Sequence, residues 1–413
     1  MPTLLKNVTI ISKGSSLHGK KKDILIVNGI IEKIEDSISD AADETIQGEN
    51  LHVSIGWFDM TASFCDPGYE HKETIESGIN AAMAGGFTGV GLLPETSPVV
   101  SGKSQVEYIR RKSENKIVEI VPYGSLSVNF DGQNMSEYHD MYLAGARAFT
   151  DGFRPVNSEL LSRALMYSKN SGGLIMVFPN DKALSKGGQM HEGIESTKLG
   201  MKGIPAIAEE LQVNRDIQLA EFNQSALHFL NVSTKEAVES IRKAKKAGTK
   251  VTAQVAVANL LLDDTSLKDF DSNYKVLPVL RSQEHIDALI DGLADGTIDC
   301  IASSHVPQDI ESKDLEFEHA EFGMIGLETA FAVARTATQK KLKLEDLIEK
   351  FTTQPRKLLG LQNPEIKNGE KVNLTIFNPD EKWIFTAKDI KSKSKNTPFV
   401  GRELVGRVVK VVR

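Results

Sequence analysis

Residues 227–257 read LHFLNVSTKEAVESIRKAKKAGTKVTAQVAV, and they decide the fold. Leu227 to Leu230 is a short apolar run of strand type. Thr234 then offers a hydroxyl where a helix can start. Ala237, Val238, Ile241 and Ala244 recur at helical spacing, so Ser233 to Ala247 is predicted to be an amphipathic helix. Gly248 ends it, and Lys250 to Val257 is again β-rich. Strand, helix and strand in that order predict a parallel pair joined by a crossover.

The unit repeats outward in both directions. Helical patterns at Ile75 to Ala84, Ser104 to Ser113 and Glu159 to Asn170 precede β-rich runs at Gly89 to Leu93, Ile117 to Tyr123 and Leu174 to Phe178. Gln283 to Leu293 and Ile298 to Ser303 continue the pattern. Alternation over residues 56–365 predicts an α/β fold with a closed (β/α)8 barrel, which needs roughly 250 residues. A doubly wound open sheet is the alternative, but no GxGxxG opens a helix after an early strand. The two ends of the chain differ. Leu4 to Ile11, Asp23 to Val27 and Ile30 to Ile34 are strand-like, the last two joined by the hairpin dipeptide Asn28-Gly29. Val372 to Phe377, Trp383 to Phe385 and Leu404 to Val412 are strand-like as well. The expected division is a barrel over 56–365 and one small β-domain built from 1–55 plus 366–413.

The 413 residues carry a net charge of −7, which argues against nucleic acid or an anionic membrane as the main partner. No apolar run is long enough to cross a bilayer. Two cysteines, Cys65 and Cys300, give no disulfide framework, so a cytoplasmic protein is expected. The basic clusters Lys20 to Lys22 and Lys388 to Lys395 read as solvated loops.

In a barrel the chemistry sits at the C-terminal ends of the strands. A hydrolytic metal site there needs several His, Asp or Glu side chains to converge. The first strand end, Asp59 to Gly68, has carboxylates but no His. Asp151 and His305 are the other obvious ligand types, with Asp181 weaker. Asp151 precedes Gly152 and equally suits a turn or cap. His228, inside a strand run, reads as a hydrogen-bonded internal histidine, and His305 as structural. The remaining seven histidines are placed in loops or on helices. There is no GxSxG elbow, and Cys65 has no His beside it. Ala84 to Gly89 reads as a helix-to-strand turn and not as a phosphate cradle.

Several segments resemble the dihydroorotase family of cyclic amidohydrolases. Gly56 to Gly68 is similar to its Gly-Phe-x-Asp-x-His-x-His-x-Arg-x-Pro-Gly block, and Gly85 to Pro98 to its Met-Pro-Asn-Thr-x-Pro stretch. Ala148 to Asp151, Glu192 to Glu209, His228 to Thr234, Lys275 to Arg281, Gly292 to Gln308, Gly323 to Thr329 and Asn396 to Gly401 follow the family too. The resemblance implies an amidohydrolase-type (β/α)8 barrel with a small β-domain. It also implies reversible cyclisation of N-carbamoyl-L-aspartate to dihydroorotate on one or two zinc-type ions.

The departures fall on the positions that the resemblance assigns to chemistry. Thr61 and Ser63 stand at the paired metal histidines. Cys65 stands at the substrate-binding Arg and Glu95 at the substrate-binding Asn. Phe178 and Asn231 occupy two further metal histidine positions. Leu277 replaces the Asn before Pro-Pro-Leu-Arg, Ser304 the proton-shuttling Asp, and Gln308 the last His of its block. Only Asp151, at the acidic metal position, and His305 remain. The expectation is therefore a pseudoenzyme with no catalytic residues and no cofactor, where active relatives hold zinc. Chains of this family that lack the ligands serve as scaffolds for aspartate transcarbamoylase, so the resemblance implies a structural or regulatory partner of that enzyme, itself a homo-oligomer and most simply a dimer. Two alternatives stand beside it: an active cyclic amidohydrolase working around Asp66, Glu95, Asp151, His305 and Cys65, or a ligand sensor that uses the old pocket.

Overall fold

The computed structural model describes residues 2–371 and 373–413. Eight parallel strands form the barrel: Trp57–Ala62, Phe87–Leu92, Glu119–Pro122, Ala148–Phe149, Leu174–Val177, Leu227–Phe229, Val251–Ala256 and Cys300–Ala302. Two single bridges close the ring, Gly124 to Phe149 between the third and fourth strands and Ala62 to His305 between the first and eighth. The fold is thus the α/β barrel expected. Phe58, Met60, Tyr123, Met176, Leu230 and Cys300 fill its interior and leave no pore. The helix Lys235–Lys246 starts with the Thr234 hydroxyl accepting from the Ala237 amide, and it buries Ala237, Val238, Ile241 and Ala244.

Both termini meet in a second, seven-stranded sheet. Its order is Glu403–Val412, Leu374–Ile384, His52–Ile55, Thr3–Ile10, Lys21–Val27 and Ile30–Glu35, with Glu44–Ile46 paired to Thr3–Ile10. Leu5, Val8, Ile24, Val53, Leu374 and Ile376 form its own core. The sheet hands the chain to the barrel at Gly56, where any Cβ would stand 2.0 Å from the Thr88 hydroxyl. Trp57 follows and locks the two bodies together. Its ring lies 4.8 Å from Phe331, 5.4 Å from Phe377 and 5.8 Å from Phe351, and its indole N–H donates to Ser54 at 3.0 Å.

Three expectations need correction. Trp383 to Phe385 is not a separate strand. Leu374–Ile384 runs through it, with register breaks that restore pairing after Asn378. Val372, the start of the expected run, lies outside the described residues. His52 and His191 lie in short strands and not in loops, and Lys21 and Lys22 begin a strand. Lys388 to Lys395 is the loop expected, with its lysines exposed, and its backbone amides at 391–393 bond to buried carboxylates. A long helix, Ile207–Asn223, carries no clear apolar stripe because it buries Glu209, Gln212, Asp216 and Asn223 among its apolar residues.

Trp57→Ala should cost about 3–5 kcal/mol of unfolding free energy, since a large fully buried ring leaves an unfilled cavity. Urea unfolding measures this; a loss under about 1 kcal/mol would mean that the ring cluster does not couple sheet to barrel.

Candidate functional site

The strand ends open into a cleft of about 530 Å³. Beneath it, and reaching the cleft through Ser304, runs a chain of neutral side chains. The Gln254 amide nitrogen, on the seventh strand, donates to the Thr61 hydroxyl at 2.6 Å and to the Asn231 amide oxygen at 2.7 Å. The Asn231 amide nitrogen donates to the Ser304 hydroxyl at 2.9 Å. The Gln254 oxygen faces His228 Nε2 at 3.2 Å, and His228 Nδ1 faces the Thr252 hydroxyl at 2.9 Å. The Gln254 oxygen can only accept, so Nε2 carries the proton and Nδ1 accepts from Thr252. Burial holds the imidazole neutral, with its pKa lowered to about 4. Thr61, His228, Asn231 and Gln254 are wholly inaccessible. Asn231 and Ser304 sit at φ of 47° and 50°, the left-handed region that asparagine tolerates better than most residues.

The retained acidic and imidazole groups are turned to structural work. One Asp151 oxygen accepts from the backbone amides of Leu126 (2.7 Å) and Ser127 (3.0 Å), and the other from the Ser127 hydroxyl at 2.6 Å. Asp151 therefore fastens the loop after the third strand. Burial still raises its pKa above the ordinary carboxylate range. His305 Nδ1 accepts from the Gly326 amide at 3.2 Å, which leaves Nε2 to donate toward Glu73 at 3.4 Å. Glu73 is fully buried and also accepts from the hydroxyls of Ser77 and Ser392 and the amide of Lys393. Burial alone would raise its pKa, but these hydrogen bonds hold it below the usual value. Asp59 accepts from the amide and hydroxyl of Ser303, and burial pushes its pKa up to about 6.

The cleft wall carries the other positions. Glu95 pairs with Arg154 at 2.6 Å, and its second oxygen is 3.5 Å from the Ser63 hydroxyl. The Arg154 guanidinium also lies 4.3 Å from the Phe130 ring centre. Gly152, at φ 63°, faces the Glu95 carboxyl so closely that a Cβ would approach to 2.6 Å. Gln308 accepts from Lys72 at 2.7 Å. Burial pushes the Cys65 thiol up to about 12, so it stays protonated at neutral pH. Phe178 packs edge-on against Phe153 and joins the barrel's apolar interior. Leu277 lines the far wall. Asp66 is drawn away toward Lys112 at 2.8 Å, and Asp181 caps the helix Lys182–Ser185. Sequence reading did not single out Gln254, Glu73, Arg154 or Phe130. Gln254 and Arg154 left one signal, their place in the strand-end stretches Gln254 to Asn259 and Thr150 to Val156. Among the described residues, no three His, Cys, Asp or Glu side chains gather at a point that could hold a metal ion.

In the unfolded chain His228 takes up a proton below the ordinary histidine value of 6.5, and in the folded protein only below about 4. Stability must therefore fall as pH drops through that window, by roughly 3 kcal/mol from this residue. His228→Gln should remove that share and leave the part due to His191, whose pKa burial lowers to about 3. Urea unfolding at neutral and acidic pH reads both slopes. An unchanged slope in the variant would show that the imidazole is not held neutral.

Comparison with known proteins gives the family and the fold. A family profile described as dihydro-orotase-like matches residues 52–237. A dihydroorotase of Syntrophus aciditrophicus (strain SB) is 39% identical over 99% of this chain and 97% of its own length. That of Geobacter metallireducens is 40% identical, over 93% and 92% of the two chains. Among solved structures, the L-hydantoinase (dihydropyrimidinase) of Arthrobacter aurescens superposes with a TM-score of 0.86 at 24% identity, covering 99% of this chain and 94% of that one. Dihydropyrimidinase from Brevibacillus agri NCHU1002 gives a TM-score of 0.83 at 20% identity, covering 100% and 94%. The structural likeness establishes the barrel with its β-domain, and identity along almost the entire length establishes the lineage: this chain belongs to the dihydroorotase family.

Proposed function

We propose that the chain is a non-catalytic dihydroorotase-family protein of pyrimidine synthesis, acting as a structural or regulatory partner of aspartate transcarbamoylase. The carrying observation is the neutral chain Thr61, Gln254, Asn231 and Ser304, bonded to itself at the barrel mouth. Zinc in a catalytic site needs about three ligands from His, Cys or carboxylate. Amides and hydroxyls do not replace them at useful affinity. Asp151 has both oxygens occupied, and His305 has both ring nitrogens occupied. The donor set therefore does not fit a zinc ion. Ser304 also offers no acid or base near neutral pH, and the loss of such a group costs ~10²–10⁴-fold in rate. An intact scaffold around a site without these groups fits a role in assembly, with the chain itself a homo-oligomer. The resemblance to transcarbamoylase-associated family members supplies the partner.

Two readings compete. The relatives' names favour an active dihydroorotase. A ligand sensor is favoured by Asn259. This residue lines the cleft, is 2% exposed, and leaves its amide oxygen without a partner. The Ser304 hydroxyl accepts from Asn231 and keeps its own proton to give. The two groups suit a molecule with an N–H and a carbonyl.

The purified protein with excess zinc should show no dihydroorotate turnover above background, beside an active dihydroorotase as control. Mixed with aspartate transcarbamoylase at micromolar concentration, it should co-elute in gel filtration. Turnover abolished by Asp151→Ala would overturn the non-catalytic reading, and separate elution would overturn the partnership. Dihydroorotate raising Tm without being turned over would favour the sensor.

A further inference from the structure

The cleft keeps a polar atom that nothing in the protein satisfies. Asn259 is buried, and its amide nitrogen donates to the carbonyls of Pro278 at 3.4 Å and Val279 at 3.1 Å. Those bonds fix which end of the amide is left over, and the oxygen accepts nothing. Among the described residues, it is the only buried side-chain oxygen or nitrogen without a partner whose residue lines the cleft. An orphaned buried acceptor calls for a donor. The backbone around the cleft is strained as well. Cys65 at φ 58°, Phe130 at 59° and Ser304 at 50° line it. Apart from glycines and asparagines, only Gln224 and Phe270 share that left-handed backbone among the described residues. Such conformations are costly for residues with a side chain and gather at binding sites. The charges of the wall are already spent. Lys72, Arg154, Glu95 and Glu321 line the cleft, two of each sign. Arg154 is paired with Glu95, and Lys72 donates to Gln308. The second Glu95 oxygen faces the Ser63 hydroxyl at 3.5 Å and would repel a carboxylate set beside it.

We infer that the cleft binds an uncharged ligand with a ring N–H beside a carbonyl, the edge that a nucleobase presents, and that it rejects the same ring carrying a carboxylate. The N–H meets the Asn259 oxygen. The carbonyl accepts from the Ser304 hydroxyl, whose own oxygen is taken by Asn231. Asn259 and Ser304 follow the seventh and eighth strands, which pair side by side. Phe130, Phe153, Leu277 and Phe322 line the same cleft and offer the apolar surface that a flat ring needs. The cleft volume lies within the range of small-molecule sites, about 300–1,000 Å³. This ligand class rests on the sensor reading of the cleft, and it stands or falls apart from any partner protein.

Calorimetric titration of the full-length protein at neutral pH uses three related rings: uracil, 1,3-dimethyluracil, which has no N–H, and orotate, which is uracil with a carboxylate. Uracil should bind saturably, at about millimolar concentration or below. The dimethyl compound and orotate should each bind at least about tenfold more weakly. Asn259→Leu should weaken uracil binding at least about tenfold, and Ser304→Ala should weaken it in the same direction if the leucine variant fails to fold. Equal binding of uracil and its dimethyl derivative, or uracil binding unchanged in Asn259→Leu, would overturn recognition through the N–H. Orotate binding as tightly as uracil, or more tightly, would leave the sensor reading standing and overturn this ligand class. No binding of any of the three would overturn both.

Discussion

The amide of Gln254 is the constraint on which the barrel mouth depends. Its two N–H donors and its oxygen are all used, and they reach the first and sixth strands directly and the eighth through Asn231. A buried polar network is stable only when every member is satisfied, because an unpaired amide in a low-dielectric interior costs about 1–3 kcal/mol. Here the members satisfy one another without an ion. A charged ligand set at the same strand ends would repel itself unless a cation were bound. The neutral set has no such demand, and the fold can close around it.

The same economy governs Asp151 and His305. A carboxylate buried without a counter-charge needs hydrogen bonds, and Asp151 finds three on the loop after the third strand. His305 bridges the eighth strand to Glu73, and Glu73 carries the connection to the C-terminal loop at Ser392 and Lys393. The mouth is held as one piece from the barrel interior to its rim. The proposed scaffold role draws on that rigidity.

Much of the fold was legible because hydrophobic period differs between strand and helix. The run 227–257 shows both periods in one stretch, and Asn28-Gly29 marks a hairpin by backbone geometry alone. The helix Ile207–Asn223 was not legible, since its buried polar residues erase the stripe. The fourth strand, Ala148–Phe149, is too short for a period, and only the strand end that follows it, at Asp151, was placed from the sequence. The site divides in the same way. Thr61, Ser63, Phe178 and Asn231 became meaningful only against a family pattern, because none is a chemical group that sequence reading looks for. Glu73 left no signal: it meets His305 across 232 residues of chain. Gln254 was at a flagged strand end, yet an amide advertises neither metal nor proton transfer.

At the barrel mouth Thr61, Gln254, Asn231 and Ser304 bond to one another, and such a neutral set offers a metal ion no ligands. Calorimetric titration of the purified, chelator-stripped protein with zinc at neutral pH tests it most directly. No saturable binding is expected at micromolar zinc, and no change when Asp151 is replaced by Ala. Stoichiometric binding that Asp151→Ala or His305→Ala removes would contradict it, and would place a metal centre where the neutral network now stands.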